Sequence, residues 1–203
     1  MNSRLRMQVY RTTHLLHWIS AAACFAALAL FTITGITLNH AGSIGGKPVV
    51  TTHAAQLPES LRAALAPRAG GDESIPPALA QWIDREFGIS AGDASVEWSD
   101  EELYLSAPGP GRDAWVSIDR ASGAAKSEAT DRGWLAYFND LHKGRNTGLA
   151  WRVFIDVVAA AVLFFALTGL VLLQIQARQR PSTWPLVIGG TVFAMVLMIF
   201  FIH

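Results

Sequence analysis

His17 and His40 bracket the first long apolar run of the chain, Trp18 to Leu38, and His142 stands shortly before the second. His40 closes the stretch Thr34-Gly35-Ile36-Thr37-Leu38-Asn39-His40, and His142 belongs to Asn139-Asp140-Leu141-His142-Lys143-Gly144. A helix from His17 to His40 is ~35 Å long at ~1.5 Å per residue, against a hydrocarbon core about 30 Å thick. The spacing therefore sets these two imidazoles at opposite faces of a membrane, the arrangement that holds redox metal centres on either side of a bilayer. His40 and His142 fall at the same face, where they can converge. Neutral imidazole is a strong iron ligand, and a haem held by two histidines needs them on different elements facing one another.

His14 precedes His17 by three positions and shares its helical face. The two cannot grip one iron from opposite sides, so either is the candidate, with His17 preferred for its deeper place beside Trp18. Both also suit a membrane interface as amphipathic rings. The second and third apolar runs carry no histidine at the end nearest Arg178 and Arg180, only Gln174, Gln176 and Gln179. A haem held there by two histidines requires a second protomer or a partner chain, and a homodimer is the simpler expectation. His53 lies in a stretch with no evident partner, and His203 is a reserve candidate on the side of His40 and His142.

Arg152 and Asp156 stand one turn apart in the second run. A charge inside a span is a functional-site hypothesis by default. Arg152 can hold a haem propionate while Asp156 orients it or a ligand imidazole; an ion pair inside the bundle accounts for them equally well. Phe31-Thr-Ile-Thr-Gly-Ile-Thr-Leu38 and Phe165-Ala-Leu-Thr-Gly-Leu-Val-Leu172 share a pattern, which close packing at Gly35 and Gly169 suffices to explain.

These residues require a scaffold, and the apolar runs supply it. Trp18–Leu38, Leu149–Ile175 and Pro185–Ile202 each meet or approach the roughly 20 residues of a membrane-spanning helix, the form in which a single segment satisfies its own backbone in lipid. Arg4, Arg6 and Arg11 before the first run, and Arg178 and Arg180 between the second and third, stand without an acid among them. The positive-inside rule assigns both to the cytoplasm. The N-terminus is then cytoplasmic and residues 41–148 are extracytoplasmic. The first run exceeds the 7–15 or so apolar residues of a cleavable signal. Cys24 is the only cysteine and lies inside that run, so neither an intrachain disulfide nor Cys-x-x-Cys-His haem attachment is available.

The polar segment reads in two parts. Residues 41–76, rich in Ala, Gly, Pro and Ser, form a linker with one short helix at Pro58–Leu65. Residues 77–142 form a small α+β module: a helix carrying Leu79, Trp82, Ile83 and Phe87 and stopped by Gly88, then strands at Ser95–Trp98, Glu102–Ala107, Asp113–Asp119 and, weakly, Ala124–Ala129. A last helix presents Trp134, Leu135, Phe138 and Leu141 on one face and ends near His142, with Gly144 as its cap. A module of about 60 residues is small for an independent core. Residues 1–40 then hold the cytoplasmic N-terminus and first span, and 143–203 the other two.

Leu-His-Trp-Ile-Ser at 16–20, Thr-Gly-Ile-Thr-Leu-Asn-His at 34–40, Asp-Leu-His-Lys-Gly-Arg at 140–145, Asp156 and Leu-Thr-Gly-Leu at 167–170 together resemble the PepSY-associated transmembrane family. Its bacterial inner-membrane members include ferric-siderophore reductases. The resemblance implies a PepSY-like extracytoplasmic (periplasmic) module, b-type haem at two sites per assembly, and His17, His40 and His142 as axial ligands passing electrons outward to a ferric chelate. Larger reductases of this type have four or more spans and two modules; this chain has three spans and one module, which a homodimer would double.

No Gly-x-Gly-x-x-Gly fingerprint is present, so the donor is a quinol or a separate reductase. No nucleic-acid partner is expected, and membrane lipid is the surrounding medium. The alternative is a non-enzymatic membrane adaptor whose module binds or restrains a partner by strand addition; a metal-transport accessory using His40, His142 and His203 ranks third. Reporter fusions test the orientation. One at residue 180 is expected to report cytoplasm and one near residue 100 the outside; a cytoplasmic signal from residue 100 overturns it.

Overall fold

The computed structural model describes residues 3–66, 74–92 and 94–202. Three of its helices are long and apolar enough to cross a membrane: α1 (Ser3–Asn39), α5 (Leu149–Gln176) and α6 (Thr183–Phe201). Between α1 and α5 lie a short helix α2 (Ala41–Ile44), strand β1 (Val49–Gln56), a 3-10 helix (Glu59–Leu65), helix α3 (Pro77–Phe87), strands β2 (Ser95–Trp98), β3 (Glu102–Ser106), β4 (Arg112–Asp119) and β5 (Ala124–Asp131), and helix α4 (Gly133–Lys143). By internal contacts the chain divides into two units, residues 1–30 with 153–203, and Phe31–Arg152.

The first unit is helical. α1 starts about four turns before Trp18, so Arg4, Arg6 and Arg11 belong to the helix itself. Arg6 donates from Nη2 to the Ile175 carbonyl at 3.2 Å, and Trp184 donates to Gln174 Oε1 at 2.8 Å, tying the start of α6 to the end of α5. Ser20, Cys24 and Thr168 are buried, whereas Phe25, Leu163, Phe193 and Phe200 face outward. An outward apolar surface of this extent suits acyl chains rather than water.

The second unit is built on a five-stranded antiparallel sheet in the order β1-β5-β4-β3-β2. Alternation decides its faces: Leu103, Leu105, Val116, Ile118 and Ala125 point to one side, where they pack under Leu79 and Ile83 of α3, Leu57 just before the 3-10 helix and Leu65 at its end. α3 starts on Pro77, whose missing N–H costs nothing in a first turn, and stops at Gly88 in the left-handed conformation, φ 64°. The β4–β5 turn is held by Asp119, which accepts from the Ser122 amide and hydroxyl, each at 2.6 Å. Those two bonds hold its carboxyl below the usual carboxylate range.

Two expectations need correction. The stretch 41–76 is not a plain linker, because Val49–Gln56 forms β1 and pairs along its whole length with β5. Val49-Val50-Thr51-Thr52 has high strand propensity, but the strand that stabilises it arrives some seventy residues later, beyond the reach of local pattern. On α4, Trp134 and Phe138 are exposed, and the buried residues are Leu135, Asn139 and Asp140. The polar pair goes inward because partners wait there. Asp140 Oδ2 accepts from the Gly111 amide and from Arg132 Nη2, both at 2.9 Å.

Gly111 marks that junction. Its φ is +67°, and an added Cβ would lie 2.7 Å from the Tyr137 amide nitrogen and 2.8 Å from Tyr137 Cα. Both left-handed strain and collision with the α4 backbone oppose a side chain there. Gly111→Ala is expected to destabilise the Phe31–Arg152 unit by about 2 kcal/mol or more, read as a lower thermal midpoint of the purified protein.

Candidate functional site

His17 lies half-buried on α1 with its ring stacked on Phe165 of α5, centroids 4.5 Å apart and planes 15° from parallel. Its Nδ1 is 3.0 Å from Thr168 Oγ1 and 3.2 Å from the Phe165 carbonyl. Thr168 is itself buried, and its hydroxyl donates back to the Phe164 and Phe165 carbonyls at 3.0 and 2.9 Å. A Cβ at Gly169 would sit 3.2 Å from His17 Cε1. The glycine is what lets the imidazole lie against the α5 backbone.

His142, in the last turn of α4, occupies a seat of the same design. Its ring meets Phe31 of α1 edge-on at 5.1 Å, its Nδ1 is 2.6 Å from Thr34 Oγ1, and a Cβ at Gly35 would lie 3.6 Å from its Cε1. Thr34 donates to the Phe31 carbonyl at 3.2 Å. Several contacts fix α4 so that the ring arrives here. Asp140 clamps the helix to the Gly111 turn, Asn139 Oδ1 accepts from Thr37 at 2.9 Å, and the Trp151 indole donates to the Leu141 carbonyl at 2.9 Å. Gly144, φ 65°, then ends the helix by donating back to Asp140 and Leu141.

His40 is exposed at the end of α1, with Nδ1 3.1 Å from the Ile36 carbonyl one turn earlier. It does not bond His142: that ring is seated at Thr34, six residues or ~9 Å back along α1. His14 is exposed, and its ring contact is with Tyr10, centroids 5.9 Å apart. His53 lies on β1 and is not without a partner, since Nε2 is 3.3 Å from Glu86 Oε1 and the ring packs edge-on against Phe87. Arg152 and Asp156 are each exposed on α5. His203 lies outside the described residues. Among those described, no three His, Cys, Asp or Glu residues gather as a metal cluster.

The histidines thus sort by which nitrogen is engaged. His17, His40 and His142 each commit Nδ1 to a hydroxyl or carbonyl, and Nε2 of each has no protein partner among the described residues. His53 is the reverse. The sequence alone did not expose Thr34, Thr168, Phe31 and Phe165 as site residues. The repeated Phe-x-x-Thr-Gly is the available signal, although close packing at the glycines also accounts for it.

Three membrane-crossing helices with an extramembrane antiparallel sheet capped by helices, and imidazoles seated at helix–helix contacts, define an integral membrane protein with one small α+β module. The family model described as Putative PepSY_TM-like matches residues 8–203, and the chain belongs to that family. No match is found among curated proteins or solved structures.

Proposed function

We propose that this chain is a haem b-binding electron-transfer protein of the bacterial inner membrane, a ferric or ferric-siderophore reductase or its subunit. In this proposal, electrons pass from the cytoplasmic side or the quinol pool to a ferric chelate in the periplasm. The observation that carries the reading is the common state of His17, His40 and His142, with Nδ1 anchored to the protein and Nε2 without a protein partner among the described residues. Metal-ligating histidines almost always donate their other ring N–H to a protein acceptor, which orients the ring and raises its basicity. Gly169 adds a seat that a Cβ would crowd beside the His17 ring, and imidazoles anchored at Nδ1 are the donor set haem iron takes, so the residues fit the group.

Haem, when bound, supplies one-electron chemistry at an iron whose potential follows from its axial ligands and surroundings. The protein does the rest. His17 holds the centre nearer the cytoplasmic arginines, and His40 and His142 supply imidazoles for the outer one. Arg152 offers a cation to a propionate, and the apolar span surfaces exclude water. His14 stays the reserve for His17; its ring nitrogens have no anchor among the described residues. The remainder of the span region holds no further histidine through residue 202, so the inner centre takes its second ligand from a second copy of the chain.

One specific feature favours the alternative, a membrane adaptor: β1 is an eight-residue edge strand, exposed over nearly its whole length, and open to strand addition. Colour separates the two. Under the electron-transfer reading the detergent-purified protein is red, with a Soret band that shifts on dithionite reduction. His40→Ala and His142→Ala each remove the same outer haem, His17→Ala depletes the other, and His53→Ala changes nothing. A colourless protein that takes up no added hemin sinks this reading. Low-spin spectra intact in the His40→Ala, His142→Ala double variant sink the outer ligand set. Mass measurement in nanodiscs should give a dimer; a monomer loaded with two haems would reassign the inner ligands.

A further inference from the structure

Phe-x-x-Thr-Gly occurs twice in the apolar helices, and each copy receives one histidine through the same three residues, although the ring is stacked on Phe165 in one and edge-on to Phe31 in the other. Phe165 and Phe31 contact the ring, Thr168 and Thr34 face Nδ1, and Gly169 and Gly35 lie under Cε1. Each histidine is also preceded by leucine, Leu16-His17 and Leu141-His142. The likeness extends from sequence to which residue meets which part of the ring, so it describes one socket built twice rather than two unrelated packing contacts.

The first socket reveals which nitrogen holds the proton. Nδ1 of His17 lies within hydrogen-bond distance of the Phe165 carbonyl, and a carbonyl only accepts. Nδ1 therefore carries the hydrogen and shares it between that carbonyl and the Thr168 hydroxyl, whose own proton goes back to the helix. This back-bonding is the ordinary habit of threonine within helices. In the second socket the hydroxyl alone faces Nδ1, and Thr34 likewise bonds back to Phe31. With the Thr34 proton given to that carbonyl, the hydroxyl is left to accept from Nδ1, and the same tautomer is assigned to His142 on this likeness to the first socket.

We infer that Thr168 and Thr34 are positioning residues: each accepts the Nδ1 proton of its histidine, locks ring orientation and tautomer, and turns the Nε2 lone pair out as the ligand. This rests on the proposed role of His17 and His142. It also separates them from His40, whose Nδ1 has only a carbonyl of its own helix and no socket. The two sockets differ in one respect that matters. His17 keeps the Phe165 carbonyl when the threonine hydroxyl is removed, whereas His142 loses its only Nδ1 acceptor among the described residues.

The test uses the full-length protein with ¹⁵N-labelled histidine, first free of haem and then titrated with hemin. In the haem-free wild type, both His17 and His142 are expected to carry the proton on Nδ1. Thr34→Val keeps the side-chain shape and should shift His142 toward the Nε2–H form. It should also weaken hemin binding at that site by about 10–100-fold, the usual cost of losing a ligand's outer hydrogen bond. Thr168→Val should move both readouts less, and serine at either position should restore them.

An Nε2–H His142 in the haem-free wild type overturns the inference, and this holds even if the valine variants fail to fold. So does a Thr34→Val protein whose tautomer and hemin affinity match wild type. Correct tautomers in a protein that binds no hemin would leave the threonine assignment standing and refute the proposed function instead.

Discussion

An imidazole among apolar helices has two nitrogens that must each be accounted for, because a polar atom shut away from water without a hydrogen bond costs several kcal/mol, about 4–8 in a medium that offers none. The helices solve half of this requirement with groups they already possess: a threonine hydroxyl one residue before a glycine, or a carbonyl of the preceding turn. The other half is left to Nε2. Among the described residues, His17 and His142 share this division, Nδ1 met by the protein and Nε2 not.

Around that requirement the remaining structure is support. α1 lends a histidine to one socket and the Phe31-to-Gly35 wall to the other. α4 is short and amphipathic only in part. What holds it is polar: a carboxylate taking the Gly111 amide and the Arg132 guanidinium, an amide taking a threonine hydroxyl, and an indole donating to its last turn. Directional bonds of this kind fix a helix more sharply than apolar contact does, which suits an element whose end must deliver one side chain to one place.

Much of this was legible in the sequence because it depends on local signals. Apolar length announced α1, α5 and α6; Gly88 and Gly144 announced two helix ends; alternation announced β4, and short apolar runs between turn residues announced β2, β3 and, weakly, β5. The unseen parts depend on partners distant in the chain. β1 lies in an Ala- and Gly-rich stretch and becomes a strand through β5, and His53, thought to lie in a linker, rides on it toward Glu86 and Phe87. The threonines of the sockets were hidden for a different reason. Threonine in an apolar helix normally bonds back to its own carbonyls, and these do; their second bond, to an imidazole on another element, is not specified by the repeat, which packing explains as well.

The pairing of β1 with β5 has a consequence for how such a chain can change over time. Val49, shortly after α1, is opposite Asp131, just before α4, so the strand entering the lobe and the strand leaving it run side by side about 4.8 Å apart. A lobe attached through two neighbouring points can be enlarged, trimmed or exchanged while its attachment stays the same, as happens when one domain is inserted into another. The Gly111 turn is tied to α4 as well, through Asp140, so this freedom belongs to the segments away from that turn, while the paired strands hold the two ends of the lobe together.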